Sequence, residues 1–90
     1  MNMMIRTSDI RWNSPVRVKI GYGFPETIRG PKEALDYLQF RWPAVDGPHY
    51  RLAKTLCSDV LKQSASAEVA RAAFIEACLE ARMLDGVAAA

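Results

Sequence analysis

Two prolines five residues apart constrain this chain more than any other feature, because no helix or strand runs through both. They sit in Phe40-Arg41-Trp42-Pro43-Ala44-Val45-Asp46-Gly47-Pro48-His49-Tyr50. Proline disfavours helical geometry in the residue before it, so Trp42-Pro43 closes whatever helix precedes it. Gly47-Pro48 opens the next one, since proline fits the first helical position, where its missing N–H costs nothing. Trp42 and Tyr50 flank the turn. They are expected to lock its angle by packing on each other or on a shared core.

Ahead of this joint the period is two. Ile10, Trp12, Val16, Val18, Ile20, Tyr22 and Phe24 share one parity, while Arg11, Asn13, Pro15, Arg17, Lys19, Gly21 and Gly23 share the other. That alternation describes a strand with one face on a core and one in water. Pro15 cannot donate to a ladder, so the regular strand is expected over 15–22, with Trp12 packing just ahead of it. Gly21-Tyr22-Gly23-Phe24-Pro25 is turn chemistry, and a second short strand over 26–29 completes a hairpin with Ile28 inward.

Gly30-Pro31-Lys32-Glu33 reads as a helix start, with Glu33 in the electropositive first turn. The first helix is expected to reach about Arg41, with Ala34, Leu35, Leu38 and Trp42 on one face. A second helix over 48–63 places Tyr50, Ala53, Leu56, Cys57, Val60 and Leu61 at spacings of three and four. Ser66 is the natural N-cap of a third helix over 67–84, with Glu68 in its first turn. Its inward residues are Ala70, Ala73, Phe74, Ala77, Cys78 and Ala81, and Asp85-Gly86 is its expected stop. The fold class is therefore α+β: a β-hairpin packed on three helices in the order ββααα, with Met3 to Arg6 a candidate third strand. Residues 1–9 read as a lead-in, 10–85 as one domain and 86–90 as a loose tail. Trp12, Trp42, Pro43, Gly47, Tyr50 and Phe74 are the expected structural anchors.

These residues, taken in order, resemble a known family. Pro15-Val16-Arg17-Val18 is followed by Glu33-Ala34-Leu35-x-x-Leu38-x-x-x-Trp42-Pro43, then Gly47-Pro48-x-Tyr50-x-x-Ala53-x-x-x-Cys57, then Glu68-x-Ala70-Arg71-x-x-Phe74-x-x-Ala77. The pattern spans about residues 12–84 and is similar to a small uncharacterised alphaproteobacterial family, the domain of unknown function numbered nine-eight-two. The resemblance implies a small α+β fold and bacterial origin. It implies no activity, cofactor or catalytic residue to carry over.

The chemistry is sparse. His49, the one histidine, stands in the first turn of the second helix with Asp46 as its only local carboxylate. Cys57 lies eight residues further on, about 12 Å along a helix axis, too far for a nucleophile–base pair. Cys57 and Cys78 read instead as small core hydrophobes, reduced in a cytoplasmic setting. One histidine and two cysteines without CxxC spacing hold no zinc, and Gly21-x-Gly23 lacks the rest of a phosphate loop. No cofactor or metal is expected, and the chain reads as non-enzymatic. Residues 1–13 lack the apolar run of a signal peptide, and no stretch reaches membrane-spanning length.

Formal net charge is +2 over 90 residues, too little to imply nucleic acid. The asymmetry lies in residues 1–32, where Arg6, Arg11, Arg17, Lys19, Arg29 and Lys32 face only Asp9 and Glu26. Arg17, Lys19 and Arg29 form a candidate basic face for phosphates or another anionic ligand. No aromatic shares that face, and charged side chains there also discourage strand-to-strand aggregation. Nucleic acid is thus the alternative reading. The leading one is an interaction or regulatory module that self-associates as a homodimer, with a further protein partner left open. A lone hairpin is marginal, and it leaves one backbone edge of Pro15 to Tyr22 open. That edge is to be paired with Met3 to Arg6, protected by Arg17 and Lys19, or paired with a second copy across a twofold axis into a four-stranded sheet, the reading favoured here.

Overall fold

The computed structural model describes residues 10–19, 23–43 and 46–83. Two strands, β1 (Val16–Val18) and β2 (Glu26–Ile28), precede three helices, α1 (Pro31–Phe40), α2 (Pro48–Leu61) and α3 (Ala67–Glu80). The order is ββααα. The strands pair antiparallel with Val16 opposite Ile28, Arg17 opposite Thr27 and Val18 opposite Glu26. Val16, Val18 and Ile28 point into the core while Arg17 is exposed, as the period of two requires.

β1 is shorter than the expected 15–22. After Val18 the Lys19 N–H donates to the Met83 carbonyl at 2.8 Å, so the chain leaves the ladder for the segment following α3. Parity fails with it. Phe24, which shares the inward parity, is 92 % exposed, because an alternation set by a pleated strand does not survive a turn. Ile20 and Tyr22 lie outside the described residues, as do the candidate third strand at Met3 to Arg6, the lead-in and the tail.

Each helix begins as its sequence dictates. Pro31 and Pro48 occupy first-turn positions behind Gly30 and Gly47. The Ser66 hydroxyl accepts from the Glu68 and Val69 amides at 3.1 and 3.4 Å, satisfying two of the donors that a helix start leaves unpaired. Gly30 is needed for close approach, since a Cβ there would overlap the Ile10 carbonyl. The same crossing lets the Trp12 N–H reach the Arg29 carbonyl at 2.8 Å.

The helix ends depart from expectation. α3 stops at Glu80 rather than 84. Arg82 adopts a left-handed φ of 58°, and the Arg82 and Met83 amides donate back to the Leu79 and Cys78 carbonyls at 3.1 and 2.8 Å. This double bond pattern is the Schellman stop, usually built on glycine. α2 ends the same way: Gln63 has φ 64°, with Gln63 and Ser64 donating to Val60 and Asp59 at 2.9 and 2.8 Å. The α3 turn folds Met83 into the core at 2 % exposure.

One core unites both layers. Trp12, Val16, Val18 and Ile28 meet Ala34, Tyr37 and Leu38 of α1, Ala53, Cys57 and Val60 of α2, and Ala70, Ala73, Phe74, Ala77 and Cys78 of α3. The alanines bring α3 close to its neighbours, and Phe74 fills the centre, fully buried.

Candidate functional site

The joint between α1 and α2 is held by rings. Trp42, half-buried, stacks on Tyr50 with centroids 5.7 Å apart and planes at 25°. It meets Tyr37 edge-on at 6.4 Å and Phe74 at 6.1 Å, and Trp12 also reaches Phe74 at 5.7 Å. The Tyr50 hydroxyl donates to the Leu38 carbonyl at 3.2 Å, tying α2 back onto α1. Trp42 and Tyr50 therefore pack on each other and on the shared core. The indole Nε1 groups of Trp12 and Trp42 are buried with no hydrogen-bond partner among the described residues.

Glu80, from the last turn of α3, completes the joint. Its carboxylate accepts from the His49 and Tyr50 amides at 3.2 and 3.0 Å. It serves as the cap that Gly47 lacks, since α2 has no side-chain cap of its own. A Cβ at Gly47 would overlap this carboxylate. A side chain at position 47 would have to push this carboxylate aside, although the extended backbone there (φ −102°, ψ 172°) suits any residue. Pro43 lies half-buried beside the same joint. These contacts tie α1, α2 and α3 together at the joint.

The opening in the surface lies elsewhere, between β2 and α1. Glu26, Thr27, Ile28 and Arg29 form one wall, and Glu33, Asp36, Tyr37 and Phe40 with Arg41 form the other, around about 590 Å³. No β1 residue lines it, so it flanks the edge of β2 that faces away from β1. Arg41 closes one end with a two-pronged pair to Glu26 at 2.6 and 2.5 Å. Its guanidinium also lies 4.8 Å over the Tyr37 ring. The bond to Glu26 raises the Arg41 pKa, while burial, then the Glu26 charge, push the Tyr37 phenol up.

The other lining carboxylates are also engaged. Glu33 accepts from the Arg29 amide at 2.9 Å, and Asp36 pairs with Lys32 at 2.8 Å. Phe40 stands on the rim at 78 % exposure. The Glu26–Arg41 pair joins the start of β2 to the end of α1, which brings exposed Phe24 toward the same end. A second hollow, about 320 Å³, lies between α1 and α2 and is lined mainly by polar side chains such as Lys54, Ser58 and Asp59.

The candidate chemical residues stay apart. His49 is exposed at the start of α2, donating only its amide to Glu80, while Asp46 pairs with Arg51 at 3.5 Å. Cys57 and Cys78 are fully buried, and burial pushes both thiols up to about 12. Among the described residues no three His, Cys, Asp or Glu side chains gather as metal ligands, and no helix is long and apolar enough to cross a membrane. Of the basic face, Arg17 and Arg29 are exposed on the outer side of the hairpin, and Lys19 is half-buried beyond the end of β1. Glu80, Tyr37 and Phe40 are the residues that sequence reasoning missed. Only Phe40 carried a signal, as a large aromatic off the apolar face of its helix.

A family model described as a protein of unknown function (DUF982) matches residues 14–84. The chain belongs to this family. A solved relative is the NMR structure of Agrobacterium tumefaciens protein Atu1219, a structural-genomics target. It is 34 % identical with a TM-score of 0.74, over 91 % of this chain and 82 % of that one. Its source is an alphaproteobacterium, the setting the sequence pattern implied. No curated protein matches.

Proposed function

We propose that this domain is a non-enzymatic interaction module that self-associates, and that the β2–α1 groove is its binding surface. The observation that carries the reading is Phe40, 78 % exposed on the rim of a groove flanking a strand edge. A phenylalanine is among the residues most often buried, and its exposure on the rim of a concave surface beside a strand edge supports an interaction site there. The groove's ionic groups are already paired with one another, which suits binding by shape and apolar contact over chemistry on a substrate.

The basic outer face supports nucleic-acid binding less well. Arg29 shares the groove lining with Glu26, Glu33 and Asp36, carboxylates that weaken the field a phosphate would meet there. Cytoplasmic residence goes with this proposal, since both thiols are free. Sedimentation equilibrium over 5–500 µM tests self-association. The expected result is a shift from the 10.0 kDa chain mass toward twice that value. A constant monomer mass across the range refutes it.

A further inference from the structure

Resting on that self-association, we infer that the second copy docks by pairing its β2 edge with this one across a twofold axis, each Phe40 entering the partner's groove. The Lys19–Met83 bond ends the β1 edge just past Val18, and of the hairpin's two strands only β2 borders the groove. Among the described residues, β2 has no backbone partner on its outer side at positions 26–28. An unpaired edge beside a groove is the geometry of strand addition.

Three features favour a second copy as the occupant. First, the patch carries both a knob, Phe40, and a hole lined by Ile28 and Tyr37. A twofold interface requires that kind of self-complementarity. Second, its charges balance: Glu26, Glu33 and Asp36 stand against Arg29, Arg41 and the Lys32 that pairs with Asp36. A copy meeting itself there feels no net repulsion, whereas the outer face would set Arg17 and Arg29 against their own mates. Third, β2 is only three residues long, so backbone pairing alone is weak and the site is incomplete without Phe40 from the partner.

The test combines mass with hydrogen exchange. At high protein concentration the β2 amides should exchange more slowly than at low concentration, in step with dimer formation. Phe40→Asp, at an exposed position, should keep its circular dichroism while self-association weakens at least about a hundredfold. Phe24→Ser provides a second variant, expected to weaken the dimer by a smaller factor. A dimer that survives Phe40→Asp with β2 exchange unchanged overturns the inference and leaves self-association standing through another face. A monomer at every concentration overturns both.

Discussion

Replacing Glu80 with alanine should destabilise the domain through a helix it does not belong to. α2 begins at Gly47 with no side-chain cap and no acidic residue in its first turn. Two of its unpaired donors, the His49 and Tyr50 amides, are satisfied only from α3 by the Glu80 carboxylate. Losing an N-terminal cap costs about 0.5–2 kcal/mol, and losing a negative charge from a helix N-terminus costs about 0.3–1 more. Glu80→Ala should therefore cost about 1–3 kcal/mol. Against a total of about 5–13 kcal/mol for a domain this size, the midpoint of thermal unfolding should fall by about 5–20 °C. Glu80→Gln keeps an acceptor oxygen and should lose less than about 1 kcal/mol. Gly47 supplies the decisive control. Gly47→Ala must displace the carboxylate, so its cost includes the cap, and in a Glu80→Ala background that part has already gone. Urea unfolding of the four proteins, followed by tryptophan fluorescence, should give a coupling of about 1–2 kcal/mol. Additive costs would mean that position 47 does not act through the carboxylate, and a Glu80→Ala protein as stable as the parent would mean that the carboxylate does not cap α2.

Trp42→Ala should cost about 3 kcal/mol, because it removes the ring against which Tyr37, Tyr50 and Phe74 pack; an unchanged urea midpoint would place Trp42 outside the core. Cys57 and Cys78, their thiols pushed up to about 12 by burial, should resist aromatic disulfides in the native protein and react only on unfolding. The unfolded chain releases these protons near pH 8.5 and the folded one near 12. Stability is thus fully present below about 8.5 and falls between there and 12, by up to about 1.4 kcal/mol per pH unit for each thiol. A Cys57→Ala, Cys78→Ala variant should show a shallower alkaline decline in pH-dependent urea midpoints, and an identical slope would refute the assignment. Arg82→Gly, at φ 58°, should stabilise by up to about 1 kcal/mol in thermal unfolding, because only glycine takes that conformation without strain.

What could be read from the sequence was what neighbouring residues decide together. The Trp42-Pro43 and Gly47-Pro48 breaks bound their helices because proline acts on the adjacent peptide. Ser66 capped α3 because its acceptor reaches amides two and three residues on. The alanine face of α3 followed from helical spacing alone. What escaped depends on distance or on a disfavoured conformation. Glu80 meets amides 31 and 30 residues away, with nothing local to mark it. The stops at Gln63 and Arg82 use left-handed geometry without glycine, so the sequence carried no usual signal there. Phe24 followed the strand's parity on paper, but the strand had already ended. The groove escaped for a related reason: its walls come from two elements whose approach is a product of the packing.

That packing also anchors the walls of the groove to the core. Arg41 follows the last residue of α1 and grips Glu26 at the start of β2, while its guanidinium rests over Tyr37. Tyr37 meets Trp42, Trp42 stacks on Tyr50, and both Trp42 and Trp12 bear on Phe74. The rim of the groove is thus connected to the centre of the core through consecutive ring contacts, each worth about 0.5–1.5 kcal/mol beyond simple burial. The Glu26–Arg41 pair is itself half-exposed and adds little to stability. Its effect is positional, because it sets the width of one end of the groove between two elements the core has already fixed. A wall held in this way costs a partner little ordering on binding. Phe40, 78 % exposed on the last turn of α1, is the apolar side chain that this fixed rim presents to whatever meets it.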